Sequence, residues 1–435
     1  MRMILTGATL ATLRSGAAAA QTLDCERLAT LRIEAGAITL PTTGAEVTSA
    51  TPVTDANGAY CRVTGAILPV DPAAPRILFQ ANLPRNWNGK ALQFGGGGYN
   101  GAIPNTTGLE THGLVGTPTP LARGFLTFAS DSGHQSTYSA PSDDASFATN
   151  AEAWRNFAYQ HIRKTLDAVR AVAAAGYGTP PQRVYFNGGS TGGREGLTAA
   201  IRWPEAYDGI IAWYPVSSYM GLRLWGAHLA RAVYDDDSAG WISPAMVDRI
   251  AAESLARCDA LDGATDGLVS HPDACRAGAA AYLDTLRCRS GETGHPTNCL
   301  MHLGSQPAYA DPLRSGPHAR HAALAYQFFQ YVVNGGVPMN MRTLDVTAPG
   351  PVRDRITDIS AMIDATGDLS RFAARGGRMI WLHGHDDSSV SPLENRRNVQ
   401  AVMARVGQAQ ADGFLRYFEI PGLAHGGGRF SPQWE

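Results

Sequence analysis

One serine in a run of glycines is the first residue of this chain whose surroundings suggest chemistry. The stretch FNGGSTGGREG, residues 186–196, places Ser190 in the pattern G-x-S-x-G, with Gly188 and Gly192 two positions to either side. An apolar segment precedes the serine and a helix-like segment follows it. This is the context of a nucleophile elbow, a sharp turn that exposes a serine hydroxyl above the edge of a sheet. The pattern therefore predicts a nucleophilic serine, and the plainer alternative is a glycine-rich structural turn.

A serine hydroxyl is a weak nucleophile, so it needs a base that takes its proton and an acid that orients the base. Chains with this elbow carry these partners in the order serine, acid, histidine. His425 in PGLAHGGG follows the last apolar segment, and Asp387 ends the segment RMIWLHGHDD, where the neighbouring Asp386 is the fallback. The order and spacing predict a triad of Ser190, Asp387 and His425 that performs acyl transfer.

The negative oxygen that forms during acyl transfer needs two backbone N–H donors. The amide of Thr191, directly after the serine, is one predicted donor. The other is expected from the glycine-rich loop LQFGGGGYNG, residues 92–101, in which Gly97 is the predicted position. A merely flexible glycine loop is the alternative.

A second cluster of chemically active residues lies in CDALDGATDGLVS, residues 258–270. Asp259, Asp262 and Asp266 are close in sequence, and three carboxylates so near each other repel unless a cation lies among them. An oxygen-only donor set suits calcium. The segment therefore predicts a structural calcium site, far in sequence from the triad, and two ordinary Asp-Gly turns are the alternative.

The elements that position these groups follow from the alternation of apolar segments and helical periodicity. Strand-like segments alternate with helical ones over most of the chain, which predicts an α/β fold with a mostly parallel sheet and helices on both faces. Residues 219–368 lack this alternation. We therefore expect them to form an insertion between two core strands.

Composition and termini narrow the class of protein. The chain is 44% hydrophobic, with 36 basic against 38 acidic residues, so neither a nucleic acid nor an anionic membrane surface is an expected partner. Arg2, an apolar run over residues 4–13 and three alanines before Gln21 predict a signal peptide over residues 1–20, with a disordered N-terminus as the alternative. No later apolar run reaches the ~20 residues of a membrane helix.

The six cysteines show no closely spaced pair of the kind that binds zinc, and an even number behind an export signal suggests three disulfides. Fifteen pairings are open in principle. Pairing of sequence neighbours is the simplest expectation. The expected bonds are Cys25 with Cys61, Cys258 with Cys275, and Cys288 with Cys299.

Together these stretches resemble the tannase and feruloyl esterase family, which includes mono(2-hydroxyethyl) terephthalate hydrolases. The matching segments cover most of the mature chain in family order: FGGGGYNG, SDSGHQS, YFNGGSTGGREGL, WPEAYDGIIAWYP, CDALDGATDGLV, IDATGDLSRFAARGGRMIWLHGHDD and PGLAHGGG. The resemblance implies an α/β-hydrolase fold with a large inserted lid domain at 219–368 and a catalytic domain of 21–218 and 369–435.

The same resemblance implies roles for the residues identified above. It implies the Ser190, Asp387 and His425 triad and the oxyanion amides of Gly97 and Thr191. It also implies a structural calcium in the lid, and the three neighbour disulfides fit the family. The implied calcium ligands are the carboxylates of Asp259, Asp262 and Asp266 and the carbonyls of Ala264 and Leu268.

One departure from the family pattern concerns two positions beside the triad. The family usually carries a cysteine just before the nucleophile and another just after the histidine, bonded to each other. Here these positions are Gly189 and Gly426. The absence of both cysteines predicts a looser, less thermostable site, and restoring both is expected to raise the melting temperature.

The expected function is that of a secreted or periplasmic carboxylic ester hydrolase, acting as a monomer on small esters of aromatic acids such as galloyl, feruloyl or terephthalate half-esters. An aromatic clamp is expected from the lid, and a lid arginine such as Arg223 or Arg342 is expected to grip a substrate carboxylate. A catalytically decayed binding protein and a serine peptidase are the alternatives. The residues considered for the clamp are Trp225, Trp241, Phe328 and Phe329.

Overall fold

The computed structural model describes residues 23–136, 143–238, 242, 244–283 and 320–433. The expected signal peptide, Trp241 and the expected Cys288–Cys299 disulfide lie outside these residues, as does the side chain of Arg342.

Ten strands form one sheet in the order β1-β2-β3-β4-β6-β5-β7-β8-β9-β10. The strands are β1 (Arg32–Ile33), β2 (Gly44–Asp55), β3 (Gly58–Leu68), β4 (Ile77–Pro84), β5 (Lys90–Phe94), β6 (Leu126–Ser130), β7 (Arg183–Gly189), β8 (Gly209–Trp213), β9 (Arg378–Gly384) and β10 (Leu415–Ile420). Every pairing from β6 across to β10 is parallel, whereas β1 to β4 and the β4–β6 pair are antiparallel. The sheet is therefore mixed, and the prediction of a mostly parallel sheet holds only for its second half.

The described residues form twelve α-helices. They are α1 (Cys25–Leu28), α2 (Ala151–Arg155), α3 (His161–Tyr177), α4 (Thr191–Arg202), α5 (Tyr219–Ser238), α6 (Pro244–Cys258), α7 (Pro272–Leu283), α8 (Arg320–Gln327), α9 (Arg353–Ile363), α10 (Ser370–Ala374), α11 (Pro392–Val406) and α12 (Gln408–Phe414). Two π-helical segments (Asn156–Gln160, Phe328–Val333) and several single 3₁₀ turns connect them.

The helix ends have local causes. The side chain of Asn150 accepts hydrogen bonds from the amides of Glu152 and Ala153 and so begins α2. Gly178, with φ of +79°, ends α3 in the left-handed conformation that glycine adopts without steric cost. Helix α4 begins directly at the elbow, so its first amides face the site of chemistry.

The main core lies on one face of the sheet. Side chains alternate between faces along a strand, so Phe186, Ile210 and Met379 point to the same side. They pack there against side chains of α1, α3, α4, α10 and α11. The expectation of helices on both faces is not met within the described residues. The opposite face carries two small apolar clusters and borders a cavity of about 510 Å³.

The insertion between β8 and β9 contains helices and turns but no strand in its described part. Its apolar side chains join residues of the catalytic half in a second core, which includes Tyr99, Phe157 and Tyr219 as well as Phe328 and Phe329. The insertion therefore packs onto the sheet domain through a continuous apolar cluster. The boundaries 219 and 368 stay a prediction.

Two disulfides lie within the described residues. Cys25 bonds to Cys61, which ties α1 to β3, and Cys258 bonds to Cys275, which ties the end of α6 to α7. Both pair sequence neighbours. In the same part of the chain no helix is long and apolar enough to cross a membrane.

Candidate active site

The elbow serine has the strained backbone that its sequence context predicts. Ser190 has φ of 59° and ψ of −122°, a conformation that costs a non-glycine residue roughly 1–3 kcal/mol. Its amide donates to the carbonyl of Trp213, and its own carbonyl accepts from the amides of Arg194 and Val216. These bonds hold the strained turn between β7 and α4 in place.

The two flanking glycines allow strand and helix to approach each other closely. A Cβ on Gly188 would lie 2.6 Å from the backbone carbon of Gly192, and a Cβ on Gly192 would lie 2.7 Å from the carbonyl oxygen of Gly96. Neither backbone atom can move without breaking the elbow. Glycine is therefore required at both positions by close contact, which sets the turn apart from a merely flexible one.

The acid and the histidine meet across two neighbouring parallel strands. Asp387 follows β9 and His425 follows β10, and His425 Nδ1 lies 2.8 Å from Asp387 Oδ2. The amides of Ser389 and Val390 donate to Asp387 Oδ1. Asp386, the fallback, is exposed and its side chain makes no hydrogen bond within the described residues.

The charge of Asp387 is stabilised by its hydrogen bonds. Burial alone would raise its pKa, but the hydrogen bonds from His383, His425 and the amide of Val390 hold the pKa well below its ordinary value. His383 is buried and lies 3.3 Å from the same carboxylate oxygen that His425 approaches. Asp387 is therefore an ionised partner that fixes Nδ1 of His425 as the donor and leaves Nε2 as the acceptor.

The serine and the histidine are not joined by a direct bond in this structure. Within the described residues, Ser190 Oγ makes no hydrogen bond to His425. Such bonds are often long without substrate. The relative position of the two groups must therefore come from packing and from the loops that carry them.

The predicted oxyanion donors lie on either side of the elbow. The Thr191 amide is the first of α4, where amides have no partner inside the helix. In the glycine loop the Gly96 amide is already donated to Glu195 Oε2, whereas the Gly97 amide has no acceptor within the described residues. A Cβ added to Gly97 would meet nothing within 4 Å, so the loop is open there.

Glu195 is a residue of this site that the sequence interpretation missed. This buried carboxylate on α4 accepts from the Gly96 amide at 3.1 Å and from Asn100 Nδ2 at 2.6 Å, and it lies 3.4 Å from His161 Nε2. Burial tends to raise its pKa, but the charge and hydrogen bond of His161 and the charge of Arg194 lower it. The sequence offered one indication of this role, because Glu195 lies five residues after Ser190 at the start of a glycine-rich helix.

A cavity of about 500 Å³ lies beside the triad acid. Its apolar wall includes Leu222, Trp225 and Val390, and its polar lining is rich in serine. No arginine or lysine is among the described residues of the lining. The serines are Ser217, Ser218, Ser388, Ser389 and Ser391, and the carboxylates are those of Asp387 and Glu394.

The structure separates the residues considered for the aromatic clamp. Trp225 is 41% exposed and lines this cavity. Phe328 and Phe329, two of the residues considered for the clamp, are buried in the second core and do not line this cavity. Arg223 is also buried and stacks on the rings of Tyr99 and Tyr219 rather than lining the cavity.

The three carboxylates of the predicted calcium loop cap backbone amides. Asp259 accepts from the amides of Asp266 and Gly267, Asp262 from those of Ala264 and Ser270, and Asp266 from that of Leu268. These bonds lower the pKa of Asp262, so it is ionised. No group of three acidic, histidine or cysteine side chains converges as a metal site within the described residues. The donor chemistry fits calcium, whereas the side-chain arrangement in this structure is that of two capped turns.

The side chain of Tyr214 fills the space between the two glycines that replace the family's cysteine pair. A Cβ on Gly189 would lie 2.8 Å from Tyr214 Cε2, and a Cβ on Gly426 would lie 3.9 Å from its phenol oxygen. Gly426 also has φ of +84°, which strains any other residue. The expectation that two cysteines alone raise the melting temperature therefore needs revision, because Tyr214 must move first.

Comparison with known proteins gives consistent matches over most of the chain. The family model described as tannase and feruloyl esterase matches residues 61–317 and 300–435. An uncharacterized esterase of Agrobacterium fabrum is 49% identical over 457 residues, covering 94% of this chain and 82% of that relative. A probable feruloyl esterase B-2 of Aspergillus flavus is 29% identical, covering 79% of this chain and 66% of that relative.

Solved structures match in the same way. The feruloyl esterase B of Aspergillus oryzae superposes with a TM-score of 0.73 at 23% identity, covering 91% of this chain and 82% of that one. The tannin acyl hydrolase of Aspergillus niger gives a TM-score of 0.66 at 19% identity, covering 95% and 85%. At such identity these two likenesses concern the fold alone, and they confirm the α/β-hydrolase expectation.

Proposed function

Since the chain belongs to the tannase and feruloyl esterase family and is a carboxylic ester hydrolase, we propose that Ser190, His425 and Asp387 perform the hydrolysis through an acyl-enzyme. The observation that carries this proposal is the 2.8 Å contact between His425 Nδ1 and Asp387 Oδ2 beside a serine held in an elbow. An oriented imidazole next to a strained serine is the arrangement that activates a hydroxyl.

The proposed reaction has two halves. His425 Nε2 takes the hydroxyl proton of Ser190 while Oγ bonds to the ester carbonyl carbon, and the amides of Gly97 and Thr191 hold the oxyanion. The C–O bond to the alcohol then breaks, the alcohol leaves with the proton from His425, and an acyl-serine remains. Water repeats the sequence through the same histidine and releases the free acid and the serine.

Substitution of the nucleophile tests this mechanism. Ser190→Ala should lower kcat at least ~10³-fold, whereas Ser49→Ala, an exposed serine of β2, should leave kcat unchanged. An organophosphonate should label Ser190 stoichiometrically in the parent enzyme. Activity near that of the parent in Ser190→Ala would contradict the proposal, because another group would then be the nucleophile. A parent protein that is neither labelled nor active on any ester would favour a catalytically decayed fold.

We propose that the acyl group of the substrate carries an uncharged phenolic ring. We propose further that this ring enters the cavity beside Asp387, whose described lining includes Asp387 but neither Ser190 nor His425. The cavity's volume of about 500 Å³ lies in the usual range for small-molecule sites. Leu222, Trp225 and Val390 offer apolar contact to a ring, and the serine hydroxyls offer partners for ring hydroxyls. The charged groups of its described lining are carboxylates, which repel a substrate carboxylate.

An ester panel tests this assignment of the substrate class. Methyl ferulate or methyl gallate should give a kcat/KM at least about tenfold above that of mono(2-hydroxyethyl) terephthalate. Glu394→Gln should lower the ratio of the kcat/KM for these methyl esters to that for the terephthalate half-ester. Glu26 is an exposed residue of α1, so Glu26→Gln should leave this ratio unchanged. A preference for the terephthalate half-ester would contradict an uncharged acyl site.

We propose further that the segment 259–268 binds calcium as a structural ion, through the carboxylates of Asp259, Asp262 and Asp266 and the carbonyls of Ala264 and Leu268. Five oxygen donors within ten residues suit this cation. Their closeness in sequence within one largely exposed loop supports the proposal. The ion would neutralise the loop and takes no part in the reaction.

We propose that the enzyme works in an oxidising compartment, outside the cell or in the periplasm. The disulfides Cys25–Cys61 and Cys258–Cys275 support this location, because such bonds persist where thiols are oxidised. Expression in the native host followed by fractionation tests it. The mature chain should begin near Gln21, whereas an intact Met1 in the cytosol would contradict export.

A further inference from the structure

Tyr214 lies directly after β8 in a turn that is bonded to both neighbouring loops of the site. Its amide donates to the carbonyl of Leu382 in β9 at 2.6 Å. Trp213 before it accepts from the Ser190 amide, and Val216 after it donates to the Ser190 carbonyl. Its φ of +32° is unfavourable for a residue with a side chain, and such strain persists only where the surroundings enforce it.

The ring of Tyr214 contacts both the elbow and the histidine loop. Its centroid lies 4.6 Å from that of the His425 imidazole, at an interplanar angle of 52°. On the elbow side it fills the space that a Cβ on Gly189 would need, and its phenol oxygen is the nearest atom to a Cβ on Gly426. Only 6% of the residue is exposed, so the ring is enclosed at this position.

Other groups around the ring keep it neutral and in place. His112 Nε2 lies 3.5 Å from the phenol oxygen, and the His112 ring packs on Trp213. Burial, together with the nearby negative charge of Asp387, raises the pKa of Tyr214 to about 12. The phenol therefore stays protonated over the pH range in which a histidine serves as base, and Tyr214 acts by packing rather than by proton transfer.

His425 has few other constraints. Its side chain is 25% exposed, and its one hydrogen bond within the described residues goes to Asp387 through Nδ1. This single hydrogen bond fixes the distance between the His425 imidazole and Asp387, but it does not fix the tilt of the imidazole toward Ser190. Contact with the face of the ring restricts that tilt.

We propose that Tyr214 is a positioning residue of the esterase reaction, whose ring holds the His425 imidazole over the Ser190 elbow in place of a covalent tether between positions 189 and 426. This inference rests on the proposed function. It assigns the relative placement of nucleophile and base to one aromatic side chain that contacts both loops.

Two substitutions at this position separate ring packing from the phenol hydroxyl. Tyr214→Phe keeps the ring and should retain kcat within about threefold. Tyr214→Ala removes the ring and should lower kcat about 10- to 100-fold with KM changed less than threefold, because misplacement of a catalytic group by about 1 Å costs roughly 10²-fold. Rates are expressed per active site, as counted by organophosphonate titration, so that unfolded protein does not contribute.

Tyr177→Ala is the matched control, because Tyr177 stacks on Trp87 far from the triad. It should lower the melting temperature and leave kcat per titrated site unchanged. An unchanged kcat in Tyr214→Ala would overturn the proposal, and so would an equal loss in Tyr214→Phe, since the hydroxyl would then be the group that matters. If organophosphonate titration finds no active sites in Tyr214→Ala, Tyr214→Leu is used instead, because leucine keeps most of the side-chain volume. The same changes in kcat and KM are then expected.

A disulfide tether provides an independent test. The variant Gly189→Cys/Tyr214→Ala/Gly426→Cys should form a bond across the emptied space and recover at least tenfold of the kcat lost in Tyr214→Ala. Reduction with dithiothreitol should remove that recovery. A tether that forms without recovery of kcat counts against the proposal. Failure of the proposed function itself would appear separately, as activity in Ser190→Ala.

Discussion

At the scale of single residues, the groups of the proposed mechanism are each held by a small set of hydrogen bonds. Ser190 is held by three backbone hydrogen bonds. Asp387 accepts from two amides and from His425, and the glycine loop is held by Glu195. The groups that react and the groups that hold them are different residues, so single substitutions can distinguish the two roles.

The first residue-scale prediction concerns the choice between two neighbouring acids. Asp387→Asn should lower kcat about 10⁴-fold, because the amide favours the wrong tautomer of His425. Asp386→Asn should stay within twofold of the parent, since that side chain is exposed. Steady-state kinetics on an aryl ester measures both. A large loss in Asp386→Asn with a small one in Asp387→Asn would reverse the assignment.

Glu195 allows a second prediction at this scale. Glu195→Gln keeps the size but loses one of the two acceptor oxygens that hold Gly96 and Asn100. The glycine loop should then hold its oxyanion donor less well, and kcat should fall about 10- to 100-fold with little change in KM. Glu205→Gln, at an exposed ion pair with Arg163, is the control. Equal kcat values for the two variants would exclude this role of Glu195.

At the scale of elements, strands β7 to β10 determine where the residues of the proposed triad lie. These strands are parallel, so their carboxyl ends meet at one edge, and Ser190, Tyr214, Asp387 and His425 all follow such ends. Helix α4 begins there with the Thr191 amide, and helix α5 contributes Trp225 to the cavity. The site is therefore a property of strand ends, and the loops beyond it can vary without moving the triad.

The calcium loop gives a prediction at this scale. Addition of a chelator to enzyme prepared with calcium should lower the melting temperature by several degrees, because bound ligand stabilises the folded state. Asp262→Asn should abolish the response, and Asp55→Asn, on the β2–β3 turn, should not. Calorimetric titration with calcium measures the affinity directly. If neither calcium nor the chelator changes the melting temperature, the loop consists of two ordinary turns that bind no ion.

The N-terminal disulfide Cys25–Cys61 gives a second prediction at the scale of elements. Cys25→Ser/Cys61→Ser opens a loop of 36 residues, and the free energy of unfolding should fall by about 3–4 kcal/mol on the chain-entropy estimate. Urea titration measures the change. kcat should be unaffected, because α1 and β3 lie away from the triad in the sheet order. A loss of activity at unchanged stability would contradict this separation.

At the scale of the whole molecule, stability depends on pH through buried carboxyls. Burial raises the pKa of Asp131 to about 6, although the side chain of Gln135 and the amides of Gly133 and Leu78 donate to it. Its folded pKa lies above the unfolded value of about 3.9. The folded state therefore binds this proton more tightly, and the contribution is present at low pH and is lost as pH rises through about 6.

Asp131→Asn should remove this dependence. The melting temperature of the parent should fall relative to that of the variant between about pH 4 and pH 6.5, by an amount equivalent to at most about 3 kcal/mol. Melting curves across that range measure the difference. A constant difference between the two proteins would show that Asp131 titrates normally in the folded state.

The sequence by itself was sufficient for features that depend on short stretches. The elbow glycines Gly188 and Gly192 were predictable, because a close backbone contact leaves a local pattern. The bonds Cys25–Cys61 and Cys258–Cys275 follow the pairing of sequence neighbours. The roles of the triad and of the oxyanion loop stay predictions. The α/β-hydrolase fold and the family were confirmed, since their motifs recur in order along the chain.

Only the tertiary structure decided which side chains meet across elements. Phe328 and Phe329 are buried in the core, whereas Trp225 lines the cavity. Glu195 accepts a hydrogen bond from the glycine loop, and Tyr214 lies between Gly189 and Gly426. The antiparallel half of the sheet, and the face that carries no helix within the part of the chain that the structure describes, were likewise not predictable. The physical reason is that a packing contact can join residues more than 200 positions apart in the chain, as it does for Tyr214 and Gly426. No local pattern in either segment records the shape of the other.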